Sequence, residues 1–191
     1  MPSKSKTKGN KFENDMVKLL NEVYSTEEFS RTPNSGAIMG RSNWGRKQGL
    51  SENVKRTLGS DLIVPDNFKF AVECKHYADT PNYSQIIKGP DATLDHWLAE
   101  VLYDAINLDL WPLLFFKTNR KGVHFAIPDK FEFGVDGNYF LNYGSFKISG
   151  IDTFTSNAVG LQFQALKKFD DTDKKEFFER YDVQDLLKQL D

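Results

Sequence analysis

Apolar side chains recur at helical spacing near the start of the chain. Phe12, Met16, Leu19, Leu20 and Val23 fall on one stripe, which predicts a helix over 10–24. Residues 1–9 ahead of it are polar and basic and read as a flexible arm. The period then stops. RTPNSGAIMGRSNWGRKQGLSENVKRTLG, ending at 59, is rich in Gly, Ser, Asn and Arg and predicts a long loop with a short helix near 50–57. Loops of that length inside a domain tend to be functional or disordered. Residues 60–75 predict a β-hairpin, with DLIV as one strand, Pro65-Asp66-Asn67 as the turn and FKFAVECK as the other. A helix over 93–107, capped by Asp91 or Thr93, would bury Leu94, Leu98, Val101, Leu102, Ala105 and Ile106. WPLLFFKT (111–118) predicts a strand buried on both faces, and GVHFAIP (122–128) a partner for it. Residues 131–165 alternate aromatics with turn residues and suggest more strands. Residues 172–190 read as one amphipathic helix with Phe177, Phe178, Tyr181, Leu186 and Leu187 on its apolar face. This order predicts an α/β fold: a central mixed sheet flanked by helices, then a β-rich C-terminal extension with a terminal helix. The expected organisation is an arm (1–9), a core (10–128) and an extension packed on it (129–191).

Composition narrows the class. The 191 residues suit one domain, and 39% hydrophobic content with 16 Phe suffices for a sizeable core. No apolar run is long enough to span a membrane, and the N-terminus lacks the apolar segment of a secretory signal. The lone Cys74 excludes an internal disulfide and a cysteine zinc cluster. These features predict a cytoplasmic protein. The net charge of −2 hides an asymmetry: residues 1–60 carry 11 Lys and Arg against 6 Asp and Glu, while 170–191 carry 4 against 8. A basic segment attracts phosphate backbones, though a solvated surface accounts for the charge equally well.

The hairpin carries the candidate chemistry. Side chains alternate along a strand, so Phe68, Phe70, Val72 and Cys74 share one face, and Lys69, Ala71, Glu73 and Lys75 the other. A register that sets Leu62 opposite Val72 and Val64 opposite Phe70 matches apolar with apolar. It also sets Asp61 opposite Glu73. Two carboxylates held that close repel each other unless a cation lies between them, and Mg²⁺ favours one or two carboxylates plus waters and substrate phosphates. Lys75, next along the face, is placed to hold an attacking water or to stabilise charge on a phosphate. Together these parts fit metal-assisted phosphodiester hydrolysis. A Glu-x-Lys triplet alone is common on exposed strands; the register is what sets this one apart.

Asp61 followed by Glu73-Cys74-Lys75 resembles the PD-(D/E)XK nuclease superfamily, whose core runs helix, three strands, helix, strand. Upstream, KGNKFENDMVKLL (8–20) followed by RTPNSGA (31–37) resembles the start of archaeal-type and phage Holliday junction resolvases. The resemblance implies a restriction-endonuclease-like core and a catalytic set of Glu13, Asp61, Glu73 and Lys75. It implies Mg²⁺ as cofactor, replaceable by Mn²⁺, with Asp61, Glu73 and Glu13 as ligands. It places Arg31 and Ser35 at the site and makes the product a nick with a 5′-phosphate. A resolvase would act on branched DNA as a homodimer, because a symmetric four-way junction needs two matched cuts. The chain departs from the pattern in a longer insert before Asp61, carrying Arg41, Arg46, Lys47, Lys55 and Arg56, and in the part beyond 130, which has no counterpart.

Other residues carry weaker signals. Cys74 points into the core by alternation, which leaves its backbone carbonyl, between Glu73 and Lys75, as a metal-ligand candidate. Arg31, Ser35, Arg41, Arg46 and Lys47 are candidate DNA contacts. Trp44 among them either stacks on a base or folds onto the body. Gln85, after the active strand, is a candidate substrate contact. His76, His96 and His124 read as structural. The expected activity is that of a Mg²⁺-dependent endodeoxyribonuclease with junction-resolvase-like specificity, in a bacterial, archaeal or phage-infected cell. The alternatives are a restriction- or repair-type nuclease acting on duplex DNA and a catalytically inactive DNA-binding module of the same fold.

Overall fold

A computed structural model describes residues 4–33, 59–79, 81, 83–134, 139–169 and 171–190. Helix α1 (Lys4–Val23) leads into the short strands β1 (Ser30–Arg31) and β2 (Leu62–Ile63), and then the long strand β3 (Phe70–Tyr77). One turn of helix, α2 (Tyr83–Ile86), precedes α3 (Ala92–Leu108). Strands β4 (Trp111–Thr118), β5 (Val123–Pro128), β6 (Leu141–Tyr143) and β7 (Phe146–Gly150) follow, and α4 (Ile151–Lys167), α5 (Asp171–Phe178) and α6 (Tyr181–Lys188) close the chain.

Strands β3 and β4 pair in parallel, from Phe70 opposite Trp111 to Tyr77 opposite Thr118. Parallel neighbours need a crossover, and α3 supplies it. The remaining pairs are antiparallel, giving a five-stranded sheet in the order β3-β4-β5-β7-β6. The first six residues of β4 are buried, as its unbroken apolar run requires when both faces of a sheet are covered. On one face α3 buries Leu94, Trp97, Leu98, Val101 and Leu102, and Trp97 meets Tyr77 and Phe116. On the other face, Phe12 of α1 sits edge-on to His76, and Phe154 of α4 packs on Phe115 and Phe125. Tyr24, just past α1, donates from its hydroxyl to the Ala158 carbonyl at 2.9 Å and ties the two helices of that face together. No described helix is long and apolar enough to cross a membrane.

Several expectations are corrected. Helix α1 begins at Lys4, so Lys4–Gly9 is helical rather than a free arm; its lysines are good helix formers, and no proline interrupts them. The hairpin ladder of 60–64 with 68–75 is not formed. Strand β2 pairs with β1 instead, Arg31 opposite Leu62, in a separate two-stranded sheet. Strand character beyond 130 stops at Gly150, and β6 and β7 join the central sheet. Residues 151–167 are helix, because Phe154, Ala158, Leu161 and Ala165 recur at helical spacing and turn one stripe onto the core. The terminal helix is two helices broken at Arg180, whose extended backbone starts α6 and whose guanidinium binds Asp129 at 2.7 Å. Tyr181, expected on the apolar face, is 79% exposed, whereas Val183 is buried.

Asp91 caps α3 as expected, accepting the Thr93 and Leu94 backbone N–H groups at 3.0 Å each. We predict that Asp91→Ala lowers unfolding free energy by about 1 kcal/mol, and that Asp91→Asn loses less. Urea titration of the two variants checks this.

Candidate active site

Strand β3 stands at the end of its sheet. Its odd-numbered residues turn their backbone groups toward β4, as when Lys69 accepts the Trp111 N–H at 2.9 Å. The even-numbered ones face the free edge. There the Asp61 N–H donates to the Val72 carbonyl at 3.1 Å, and the Cys74 N–H donates to Asp61 Oδ2 at 2.9 Å. The Asp61 side chain thus takes the N–H that a ladder partner's carbonyl would otherwise accept. A short acidic side chain competing with the ladder in this way is the physical reason that the expected hairpin gives way here. Asp61 therefore is not simply opposite Glu73 in a ladder, yet its carboxylate still lies beside Glu73–Lys75. The N–H and C=O of one strand residue point the same way, so the Cys74 carbonyl also faces this edge.

Glu73 and Lys75 project from the α3 side of β3. Lys75 Nζ lies 2.6 Å from Glu73 Oε1 and 2.8 Å from Glu100 Oε2, bridging strand and helix. His96, one turn earlier on α3, approaches Glu100 at 3.6 Å. From α1, the buried Glu13 carboxylate binds the Arg31 guanidinium at 3.0 Å, and Asn10 Oδ1 accepts from the same Arg31 nitrogen at 3.4 Å.

Negative charge is in surplus at this edge. Burial pushes the Glu73 carboxyl well above the ordinary range, Asp61 and Glu100 push it further, and Lys75 pulls it back only in part. Burial likewise raises the Cys74 thiol, and the carboxylates of Asp61, Glu73 and Glu13 add to the effect. All three acids thus lie within electrostatic range of Cys74. Burial acts to lower the Lys75 ammonium, but Glu73 and Glu100 outweigh it and hold the group above its ordinary value. Lys75 is therefore a hydrogen-bond donor and a fixed positive charge rather than a base.

This donor set suits a hard divalent cation. Two carboxylates and a backbone carbonyl at one strand edge are the oxygen ligands Mg²⁺ takes, the remainder being waters and phosphate oxygens. Among the described residues no three His, Cys, Asp or Glu side chains are grouped so as to hold a metal ion by themselves.

The structure thus brings together Glu13, Arg31, Asp61, Glu73, Cys74 and Lys75. Ser35, Arg41, Trp44, Arg46 and Lys47, the 38–57 loop and the Gln85 side chain lie outside the described residues. Cys74 is buried as alternation implied. His76 lies 3.1 Å from Asn119 Oδ1, and the His124 ring packs on Phe116. Sequence reasoning missed Glu100. The available signal was an acidic residue set between the buried Ala99 and Val101, at the margin of the apolar stripe of α3.

A family model described as "Phage putative PDDEXK endonuclease" matches residues 4–179. No curated protein and no solved structure gives a significant match.

The raised Glu73 carboxyl has a consequence for stability without metal. The folded state holds this proton up to about pH 8, whereas an unfolded glutamate releases it near 4.5. Between those values the folded state binds more protons, so stability falls as pH rises. We predict that in EDTA the unfolding free energy declines across that window by at most about 1.4 kcal/mol per pH unit, and the melting temperature falls with it. Glu73→Gln should flatten the decline. Thermal denaturation at a series of pH values is the check, and an unchanged slope in the variant would refute the assignment.

Proposed function

Because the chain belongs to this family of phage PDDEXK endonucleases, we propose that it is a metal-dependent DNA endonuclease hydrolysing phosphodiester bonds at the free edge of β3. The observation that carries this reading is the meeting of Asp61, Glu73 and Lys75 at that edge, with Glu73 destabilised as a carboxylate by burial and by Asp61. Asp61, Glu73 and the Cys74 carbonyl would hold Mg²⁺, or Mn²⁺ in its place, with Glu13 assisting directly or through water. When bound, the cation supplies Lewis-acid stabilisation of charge on the phosphate and eases deprotonation of a water.

The chain's own groups do the rest. Lys75 keeps its proton and donates from Nζ to the attacking water or to a phosphate oxygen. Glu100 holds the far side of that ammonium and fixes its direction. Arg31 is neutralised in part by Glu13, so its remaining donors are available to a phosphate. Ser35, Arg41, Arg46 and Lys47 extend the grip on the DNA backbone; the charges of Arg41, Arg46 and Lys47 suit a polyanion, and the Ser35 hydroxyl is a neutral donor.

The Lys-Gly, early glutamate and Arg-x-Pro-x-Ser-Gly motifs support a preference for four-way junctions. Such a substrate calls for two subunits and two matched cuts, each leaving a 5′-phosphate.

Cleavage of a labelled four-way junction, beside duplex and single strand of the same sequence, tests the reading. We predict paired symmetric nicks with Mg²⁺ or Mn²⁺, lost in EDTA, and reduced at least about a hundredfold by Glu73→Ala or Lys75→Ala. Metal-dependent cutting of duplex instead would keep the site and give a restriction- or repair-type enzyme. A folded protein that cuts none of the three would refute the nuclease proposal and favour a DNA-binding module.

A further inference from the structure

A surface helix needs one apolar stripe, the one that faces the core. Helix α4 has two. Phe154, Ala158, Leu161 and Ala165 are buried against the sheet. On the opposite side Val159, Phe163 and Leu166 recur at helical spacing and are 70%, 68% and 44% exposed. Asp152, Ser156, Gly160 and Lys167 are exposed on the same side. At about 100° per residue these seven positions share one arc of about 120°.

The arc is arranged to meet itself in reverse. Asp152 and Lys167, Ser156 and Phe163, and Val159 and Gly160 are each placed symmetrically about the point between Val159 and Gly160. We propose that this face of α4 is a self-association surface whose occupant is a second copy of the chain, packed antiparallel about a two-fold axis at that point. In this arrangement the Asp152 carboxylate lies level with the second copy's Lys167, at both ends of the pair. The Phe163 ring lies level with the second copy's Ser156, large against small. The two copies of Val159 meet beside the axis. Gly160 leaves room for close approach, since a Cβ built there would meet nothing within 4 Å. Antiparallel charge matching selects this arrangement, because a parallel pairing would set Asp152 against Asp152 and Lys167 against Lys167. An isologous contact of this kind closes on itself and gives a dimer, not a filament.

This pairing uses none of the residues of the proposed active site and does not depend on cleavage. If the nuclease reading also holds, the same pairing supplies the second active site that two matched cuts require.

Sedimentation equilibrium of the full chain over a concentration series tests it, with circular dichroism to confirm that each variant is folded. The wild type is expected to approach a mass twice 21.9 kDa. F163E is expected to weaken pairing by at least about a hundredfold, as loss of a central aromatic anchor would. D152K and K167D should each weaken it about tenfold, and the double swap D152K/K167D should restore it, because each end then regains an opposite pair. V159C should oxidise to a disulfide-linked dimer. A wild type that stays monomeric throughout would overturn the proposal. So would a dimer indifferent to F163E and to the single swaps. E73A is expected to pair like the wild type, so failure of pairing and failure of cleavage are read separately.

Discussion

A strand at the end of a sheet leaves backbone N–H groups unmet, and in β3 the Asp61 carboxylate meets one of them at Cys74. That hydrogen bond does two things at once. It closes the edge of the sheet locally, where a further strand would otherwise have to pair. It also fixes an acid beside Glu73, on the buried part of the strand. The other members of the site are brought by elements already fixed by packing. The parallel pairing of β3 with β4 requires α3, and α3 carries Glu100 to Lys75. The stripe of α1 seats Phe12 on the opposite face, and Glu13 follows it in sequence.

The arrangement is costly. Buried carboxylates close together are each penalised by desolvation and by one another. Lys75 and Arg31 offset part of this, by contacts at 2.6 Å to Glu73 and 3.0 Å to Glu13. What they leave uncompensated appears as the elevated Glu73 carboxyl. A sheet built for stability alone would carry apolar residues here. A surplus of negative charge at a buried strand edge is a feature a cation can relieve, which is why the proposed metal chemistry follows from the same contacts that burden the fold.

The strongly periodic parts of the fold were legible in the sequence. WPLLFFKT gave β4 to the residue, and the capped apolar stripe after Asp91 gave α3. The aromatics scattered through 131–165 suggest strands, but Phe154 and Phe163 belong to the helix Ile151–Lys167. They lie on opposite sides of one helix, one on the core and one outside. The expected hairpin fails for a different reason: apolar matching alone favours a ladder, but a side chain can outcompete a backbone carbonyl for an N–H, and pattern does not reveal that. The acidic and basic residues of the site were nevertheless visible, because Glu73 and Lys75 share a strand face whatever their neighbour's register. Glu100 was not, since its role depends on how α3 lies across β3.

The Asp61–Glu73 edge is the proposed cation site. Direct Mn²⁺ binding, followed by electron paramagnetic resonance on the wild type, Asp61→Asn and Glu73→Gln, tests it without reference to any nucleic acid. Saturable binding by the wild type is expected, with at least about tenfold weaker binding by each folded variant. Equal binding by all three proteins, or none by the wild type, would contradict it.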